Sequence, residues 1–187
     1  MRKIDINSYA VIFDTAAIQL QNLIGELDYS NLFVLVDENT LTHCLPIIND
    51  VLPEQTKFIQ IKSGEAYKNL STCELIWQSL LEQGADRQSI LINLGGGVIG
   101  DMGGFCASTF MRGIRFIQVP TTLLAMVDAS VGSKLGVDFQ GAKNMVGLFQ
   151  DPEAVIIDPV FLDTLPQPEL RSGFAEVVKH ALIRDVA

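Results

Sequence analysis

The chain has 187 residues, of which 48% are hydrophobic and 19% are charged, and its formal net charge is −9. This composition is typical of a globular protein with one good core. The negative charge argues against nucleic-acid and membrane partners, although local positive charge can still bind a phosphate. No apolar run reaches membrane-spanning length, and the start of the chain lacks the apolar segment of a signal peptide. Three widely spaced cysteines, Cys44, Cys73 and Cys106, are typical of reduced core thiols. We therefore expect a cytoplasmic protein.

Strand-like and helix-like segments alternate along the chain, starting with an irregular pair of strands over 4–14 that caps a sheet. Apolar runs predict buried strands at 32–37, 57–62, 91–94, 116–119 and 154–158. Helical patterns lie between them at 40–51, 66–83, 98–110 and 121–131. This order predicts an α/β fold with a doubly wound, mostly parallel, Rossmann-like sheet.

The pattern changes after three closely spaced prolines, Pro159, Pro166 and Pro168. A helical pattern then runs over 169–186 with no strand behind it. We expect an α/β domain over 1–162 and, from residue 163, the first helix of an α-helical domain. Because the sequence stops within that pattern, we interpret the helical domain as truncated.

A glycine-rich turn, Gly95-Gly96-Gly97, joins the strand at 91–94 to the following helix. Such a turn exposes backbone N–H groups and a helix N-terminus to a phosphate, and a Cβ there would block its approach. The spacing of Gly95, Gly97 and Gly100 also fits the dinucleotide-binding pattern G-x-G-x-x-G. That pattern alone is weak, and a turn without a ligand remains an alternative.

Polar side chains crowd the segment that follows. Thr121 and Thr122 lie at a strand-to-helix turn, where they cap the helix or donate hydrogen bonds to a cofactor. Asp128 lies among apolar residues of the predicted helix, and such an aspartate is more often tied to a lysine or a ligand than free in solvent.

Two lysines follow in segments interrupted by glycine. Lys134 and Lys143 suit groups presented to a ligand, and Asn144 beside Lys143 adds a neutral donor and acceptor. The alternative for either lysine alone is an ordinary surface position.

Eight short strings together resemble the 3-dehydroquinate synthase family, and they extend over the chain from residue 32 onward. No single string is specific, but the combination is. The strings are VDEN (36–39), SGEAYK (63–68), GGGVIGD (95–101), MRGI (111–114), VPTTLLAMVDASVGSK (119–134), KNMVG (143–147), LDTLP (162–166) and SGFAEVVKHALI (172–183).

The resemblance implies an NAD cofactor across the α/β domain. Asp37 and Asn39 would bind ribose hydroxyls, with a turn or helix-cap aspartate as the alternative for Asp37. Glu65 and Lys68 would contact the adenosine half, with a solvent-facing pair at a helix start as the alternative. Gly95, Gly96 and Gly97 would receive the pyrophosphate, with Asp101 close by. The nicotinamide half would be lined by Thr121, Thr122, Asp128, Lys134, Lys143, Phe161, Thr164 and Leu165.

The resemblance also implies a reaction. A 3-dehydroquinate synthase converts 3-deoxy-arabino-heptulosonate 7-phosphate to 3-dehydroquinate and phosphate in the shikimate pathway of aromatic amino-acid biosynthesis. It is a phosphate-eliminating lyase that uses NAD catalytically together with a divalent metal, zinc or cobalt. The catalytic residues would be Asp128, Lys134, Asn144, Lys179 and Arg112, the last reaching the substrate phosphate of the neighbouring subunit in a homodimer.

The metal ligand implied within this chain is Glu176, with two histidine ligands beyond residue 187. His180 lies four residues after Glu176, so both can face one side of a helix. We expect His180 to be a packing or supporting residue, and residues 1–187 alone to be inactive.

Two other functions stay open. One is a sister enzyme, either a sugar-phosphate cyclase or a glycerol-1-phosphate dehydrogenase, and the MRGI and KN strings favour a cyclase. The other is a non-catalytic nucleotide-binding module.

Overall fold

A seven-stranded sheet forms the centre of the protein in the computed structural model, which describes residues 2–6 and 8–184. The strand order is β1-β2-β9-β6-β5-β3-β4, and every neighbouring pair is parallel except β1 and β2. The predicted doubly wound, mostly parallel sheet is thereby confirmed. The strands are β1 (Arg2–Ile6), β2 (Tyr9–Phe13), β3 (Leu32–Asp37), β4 (Lys57–Ile61), β5 (Ile90–Gly95), β6 (Arg115–Pro120) and β9 (Ala154–Ile157), with β7 (Lys134–Phe139) and β8 (Ala142–Phe149) in a separate pair.

Helices cover both faces of the sheet. Alternate residues of β3 point to opposite faces, so Val34 joins one core cluster and Leu35 the other. Both are fully buried, as expected for a strand between two helical layers. The helices are α1 (Ala16–Glu26), α2 (Glu38–His43), α3 (Leu45–Ile48), α4 (Leu70–Glu82), α5 (Gly97–Thr109) and α6 (Gln167–Arg184). A π-helical turn spans Ala125–Ala129, and 3-10 turns span Asn49–Val51, Glu65–Tyr67, Phe110–Arg112 and Pro159–Thr164.

Several predicted boundaries differ from the structure. The N-terminal strand pair is regular, and β2 joins the sheet beside β9. The predicted helix at 40–51 is divided, because Pro46 lacks the N–H that would continue α2 and instead lies in the first turn of α3. The helix predicted from residue 66 begins at Leu70, where the Asn69 side chain caps it by accepting from the Thr72 N–H at 3.1 Å. Residues 185 and 186 of the last predicted helix lie outside the described residues.

The hairpin of β7 and β8 was not predicted from the sequence. Its strands pair antiparallel across the two-residue loop Gln140-Gly141, and both loop residues have positive φ, 49° and 80°. That conformation matches the right-handed twist of paired strands, so it closes a hairpin tightly. The segments interrupted by glycine are therefore strands, with Lys134 on β7 and with Lys143 and Asn144 on β8.

The helix that follows the glycine turn packs unusually close to β5. A Cβ added at Gly103 of α5 would lie 2.1 Å from Oδ1 of Asn93 and 2.7 Å from Cδ2 of Leu35. Asn93 is itself 1% exposed, so it has no free space into which to turn. Glycine at position 103 therefore sets the distance between α5 and the sheet.

We expect Gly103→Ala to lower the free energy of unfolding by about 1–3 kcal/mol, because the added methyl group overpacks a closed interface. Urea unfolding followed by circular dichroism measures the change. Gly25→Ala is the matched control, since a Cβ at that exposed position in α1 meets nothing within 4 Å. Equal stability of the two variants would contradict the packing argument.

None of the helices within residues 2–6 and 8–184 is long and apolar enough to cross a membrane.

Candidate cofactor and metal site

The glycine turn lies at the carboxyl end of β5, where Gly96 caps α5 and Gly97 is its first residue. The Thr121 N–H donates to the Gly95 carbonyl at 3.0 Å, which joins the turn to the end of β6. A Cβ at Gly97 would meet only the Ala129 Cβ, at 3.4 Å. The turn thus presents bare backbone and the N-terminus of a long helix at the edge where open α/β sheets bind ligands.

Asp37 ends β3, which neighbours β5, so its carboxylate lies along the same edge of the sheet. Its Oδ1 accepts from the N–H groups of Asn39 and Thr40 at 2.9 and 2.8 Å. The helix-capping alternative is therefore confirmed for Asp37. Because both bonds use Oδ1, Oδ2 remains available to accept from ribose hydroxyls. The Asn39 side chain is exposed beside it.

Lys68 does not face solvent, which contradicts the alternative of an exposed pair at a helix start. The residue is 4% exposed, and its Nζ lies 2.6 Å from Oδ2 of Asp101 and 2.6 Å from Oδ1 of Asn144. Burial raises the pKa of the Asp101 carboxyl, and the Lys68 ammonium opposes that rise. The buried Lys68 ammonium thus joins the turn after β4 to helix α5 through an ion pair with Asp101. It joins the same turn to strand β8 through a hydrogen bond to Asn144.

Glu65 forms a second, more exposed link to the same hairpin. Its Oε1 lies 2.9 Å from Nζ of Lys143, and the two side chains are 45% and 73% exposed. The hydrogen bond and the negative charge of Glu65 raise the pKa of the Lys143 ammonium. Such a solvent-exposed pair contributes little to stability and can open for a ligand.

The segment after β6 carries Thr122 and Asp128 on a short, partly π-helical turn rather than on the regular helix predicted over 121–131. The Ala125 N–H donates to Oγ1 of Thr122 at 3.2 Å. Thr122 therefore caps the turn, which is one of the two roles expected for it. Asp128 lies within the π-helical part, and π-bulges are frequent at functional sites. Its Oδ1 is 4.0 Å from Nζ of Lys134, which ties the aspartate to a lysine as expected.

Helix α6 brings a second set of polar groups to Asp128. Nε2 of His180 lies 3.5 Å from Oε1 of Glu176 and 3.7 Å from Oδ1 of Asp128, and the three ligand atoms lie within 4.8 Å of one another. Two carboxylates and an imidazole are a donor set that suits a divalent cation such as Zn²⁺. The Lys179 ammonium also contacts Glu176.

The close approach of α6 depends on Gly173, which is buried against the residues before Asp128. A Cβ at Gly173 would lie 2.5 Å from the backbone nitrogen of Leu124 and 2.6 Å from the Leu123 Cβ. Only glycine lets the two backbones meet at this distance.

Four further residues are expected in the site, namely Arg112, Phe161, Thr164 and Leu165. Arg112 precedes β6, at the opposite edge of the sheet, in a cleft of about 580 Å³ that also holds Arg87 and Arg115. Phe161 is 1% exposed, so it lies in the core rather than on a surface that is open to a ligand. Thr164, which is exposed, and Leu165, which is half-buried, end the 3-10 turn before α6.

Sequence reasoning did not identify three features of the site. The Glu176-to-His180 spacing was the one signal for His180 as a candidate ligand, and it was given little weight. No local pattern indicated the close approach at Gly173 or the burial of Lys68. Each depends on contacts between segments that are distant in sequence.

Comparisons with known proteins point to one family. The family model described as 3-dehydroquinate synthase N-terminal matches residues 58–172. A curated relative, the 3-dehydroquinate synthase of Parabacteroides distasonis, is 46% identical over 166 residues, which are 88% of this chain and 47% of the relative. The chain therefore spans about half the length of that relative.

Two solved structures of sugar-phosphate cyclases share the fold. A 2-deoxy-scyllo-inosose synthase complexed with carbaglucose-6-phosphate, NAD⁺ and Co²⁺ is 26% identical, with a TM-score of 0.81 over 95% of this chain and 49% of that one. The 2-epi-5-epi-valiolone synthase of Streptomyces hygroscopicus, with NAD⁺ and Zn²⁺ bound, is 29% identical, with a TM-score of 0.81 over 96% of this chain and 51% of that one. Because the family model matches more than half of the residues, the chain belongs to the 3-dehydroquinate synthase family.

Proposed function

We propose that the chain is the NAD-binding part of a 3-dehydroquinate synthase, a cytoplasmic enzyme that converts 3-deoxy-arabino-heptulosonate 7-phosphate to 3-dehydroquinate and phosphate. One observation carries the proposal: carboxylate, lysine and imidazole groups meet where α6 lies beside the π-helical turn after β6. These groups belong to Asp128, Lys134, Glu176, Lys179 and His180. Such an arrangement would bring a hydride acceptor, a cation and a phosphorylated substrate into one space.

The residues present fit NAD. Gly97 leaves bare backbone beside a space that a side chain would fill, whereas Gly95 and Gly96 leave room for the side chains of Ile99 and Thr122. A free carboxylate oxygen of Asp37 lies along the same sheet edge. The pyrophosphate would lie at the N-terminus of α5, with the adenosine half toward Asp37 and Asn39. Bound NAD supplies a hydride acceptor, and Thr121, Thr122 and Asp128 are the groups that would orient its nicotinamide half.

The residues also fit a divalent metal. Glu176 would be a ligand, and Asp128 and His180 supply two further donor atoms within reach of it. A cation there supplies Lewis-acid polarisation of a substrate hydroxyl. Support comes from the Co²⁺ and Zn²⁺ bound by the two cyclases of the same fold.

Substrate anions would be held by the lysines around this cluster. Lys134 and Lys179 carry the positive charge, and Asn144, on the same hairpin as Lys134, adds a neutral partner. A sister sugar-phosphate cyclase is the second candidate, supported by the solved structures of that class. The higher identity to 3-dehydroquinate synthases, 46% against 26% and 29%, favours the first candidate.

The proposal is tested in two assays. Calorimetry on the 187-residue chain should show saturable binding of one NAD per chain, and no saturable binding would refute the cofactor assignment. Phosphate release from the heptulosonate phosphate should then be measured for the complete gene product, with and without NAD. Release that does not depend on NAD, or activity only on another sugar phosphate, would refute the proposed reaction. Residues 1–187 alone should show no turnover, since the resemblance places two metal ligands beyond them.

Arg112 lies at the opposite edge of the sheet from the Asp128 cluster, so it would act on the substrate site of another subunit. This position supports a homodimer in which each subunit completes the other's substrate site. Arg112→Ala should leave NAD affinity unchanged and raise the KM for the heptulosonate phosphate roughly ten- to hundredfold, because a charge-assisted bidentate contact is lost. The measurement is steady-state kinetics of the complete gene product beside calorimetry with NAD. Arg2→Ala on the edge strand β1 is the control for loss of an exposed arginine. A monomer with normal activity would contradict the shared site.

A further inference from the structure

A buried lysine holds the β7–β8 hairpin against the rest of the protein. Burying an ammonium is costly unless its donors are satisfied. Two of the three donors of Lys68 are satisfied, one by Asp101 on α5 and one by Oδ1 of Asn144 on β8, each at 2.6 Å. One side chain thus connects the helix behind the glycine turn to a hairpin that is distant in sequence.

The backbone of Lys68 makes a second connection to the same hairpin. Its carbonyl accepts from the Asp138 N–H at 2.9 Å, and Asn69 forms an isolated parallel bridge with Asp138. The pairing of β7 and β8 shifts register between Val137 and Phe139, so Asp138 lies in an irregularity of the strand. Irregularities of this kind re-aim side chains and are common beside active sites.

Asp138 in turn fixes the backbone of Asn144. The Asn144 N–H donates to Oδ1 of Asp138 at 2.8 Å, and Asn144 has a φ of 52°. Asparagine is among the few residues that tolerate this left-handed conformation. The direction of the Asn144 side chain is therefore determined from two sides, by its own backbone and by the Lys68 ammonium.

The hairpin needs such support, because an isolated two-stranded pair is at best marginally stable. Its inner residues Leu135 and Val137 are buried against the core. Its outer residues are open: Met145 is 63% exposed and Phe149 is 80% exposed. On β8, Val146 and Leu148 also pack against this core. Among the residues that the structure describes, polar links from Lys68 and Glu65 add to this packing at the end that carries Lys143 and Asn144, and the link from Lys68 is the more buried of the two.

We propose that Lys68 is a positioning residue, which with Asp101 holds the β7–β8 hairpin and thereby aims Asn144 at the substrate. The structural part of this proposal stands on the contacts alone, and the aim toward substrate rests on the proposed function. It differs from the role implied by resemblance, in which Lys68 itself contacts the adenosine half of NAD. An ammonium that is enclosed by Asp101 and Asn144 acts through those partners.

The test compares two substitutions at position 144 that both tolerate a positive φ. Asn144→Asp keeps an oxygen that accepts from Lys68, whereas Asn144→Gly removes it. Hydrogen exchange of the 187-residue chain, measured by mass spectrometry, should quicken about tenfold or more over residues 134–149 in Asn144→Gly, as expected when a part-buried link to the core is lost. It should stay near the wild-type rate in Asn144→Asp and stay unchanged over β5 and β6 in both.

Removal of the ion pair gives the second arm. Lys68→Met with Asp101→Leu removes both charges together, so no single charge is left buried. We expect the same local quickening over 134–149 in this variant. Lys57→Met is the matched control, because Lys57 is also part-buried and bonded, to Asn31 and Gln83, at the far edge of the sheet. Its hairpin should exchange at the wild-type rate.

Two results would overturn the proposal. One is an unchanged rate of hydrogen exchange in the hairpin of Asn144→Gly. If the double variant fails to fold, this measurement by itself decides whether the proposal stands. The other is equal loss of protection across the whole sheet, which indicates general stability rather than positioning. NAD calorimetry on the wild-type chain keeps the two proposals separate, since a wild-type chain that does not bind NAD refutes the proposed function and leaves the exchange result intact.

Discussion

Gly97→Val is expected to abolish NAD binding while leaving the chain folded. Position 97 is the first residue of α5, and its added Cβ would meet only the Ala129 Cβ, at 3.4 Å. The fold can therefore accommodate the Cβ of the introduced valine with a small adjustment. The branched side chain would instead fill the space through which a pyrophosphate approaches the bare backbone.

Calorimetry with NAD and thermal unfolding together measure the effect. We expect the Kd to rise about a hundredfold or more, equivalent to about 2.7 kcal/mol, with little change in melting temperature. Gly25→Val is the control, since it adds the same side chain at an exposed helical position with nothing within 4 Å of its Cβ. Unchanged NAD affinity in a folded Gly97→Val protein would mean that the pyrophosphate lies elsewhere.

Gly173→Val should separate α6 from the segment that carries Asp128. The added Cβ would lie 2.5 Å from the backbone nitrogen of Leu124, which cannot rotate away as a side chain can. The helix must therefore move as a unit, and Glu176 and His180 move with it. Metal sites tolerate deviations of only about 0.2 Å in ligand distance, so even a small shift disrupts the donor set.

The consequence is measured as affinity for Co²⁺, followed by absorption spectroscopy, and for Zn²⁺, followed by calorimetry. We expect the wild-type chain to release Zn²⁺ on dialysis against a weak chelator, since its three donors are all partly exposed. Gly173→Val should weaken that binding about tenfold or more, as losses of ligand orientation do. NAD affinity should change less, because most of its predicted contacts lie between Asp37 and Lys143.

Ser172→Ala, at the exposed neighbouring position of α6, is the control and should bind metal as the wild type does. Equal metal affinity in Gly173→Val and Ser172→Ala would show that the distance between α6 and the Asp128 segment does not govern the site. Metal held through dialysis in the wild-type chain would show that these three donors already form a complete site.

The strands and the glycine turn could be predicted because their signals are local. The runs over β3 and β5 are apolar because both faces of those strands are buried, so the run of apolar residues by itself predicts a buried strand. Gly95, Gly96 and Gly97 mark a turn for the same kind of reason, since glycine is the residue that needs least space. The position of Asp37 then followed, because parallel strands end at one edge of the sheet.

The errors arose where short-range signals compete. Pro46 divides a stretch that has helical periodicity throughout, because its missing N–H interrupts the backbone hydrogen bonds that the periodicity predicts. The β7–β8 hairpin was missed because its loop, Gln140-Gly141, is a weaker turn signal than Asn-Gly. Glycines at 136 and 147 also interrupt the alternation that marks strands.

The sequence by itself thus determined the α/β architecture, the position of the glycine turn and the family. Tertiary structure alone decided that Lys68 is buried rather than exposed, that Arg112 lies at the far edge of the sheet, and that α6 brings Glu176 and His180 to Asp128. The physical reason is the same in each case. The environment of a charged side chain is set by segments that pack against it from elsewhere in the chain, and no pattern of neighbouring residues specifies that packing.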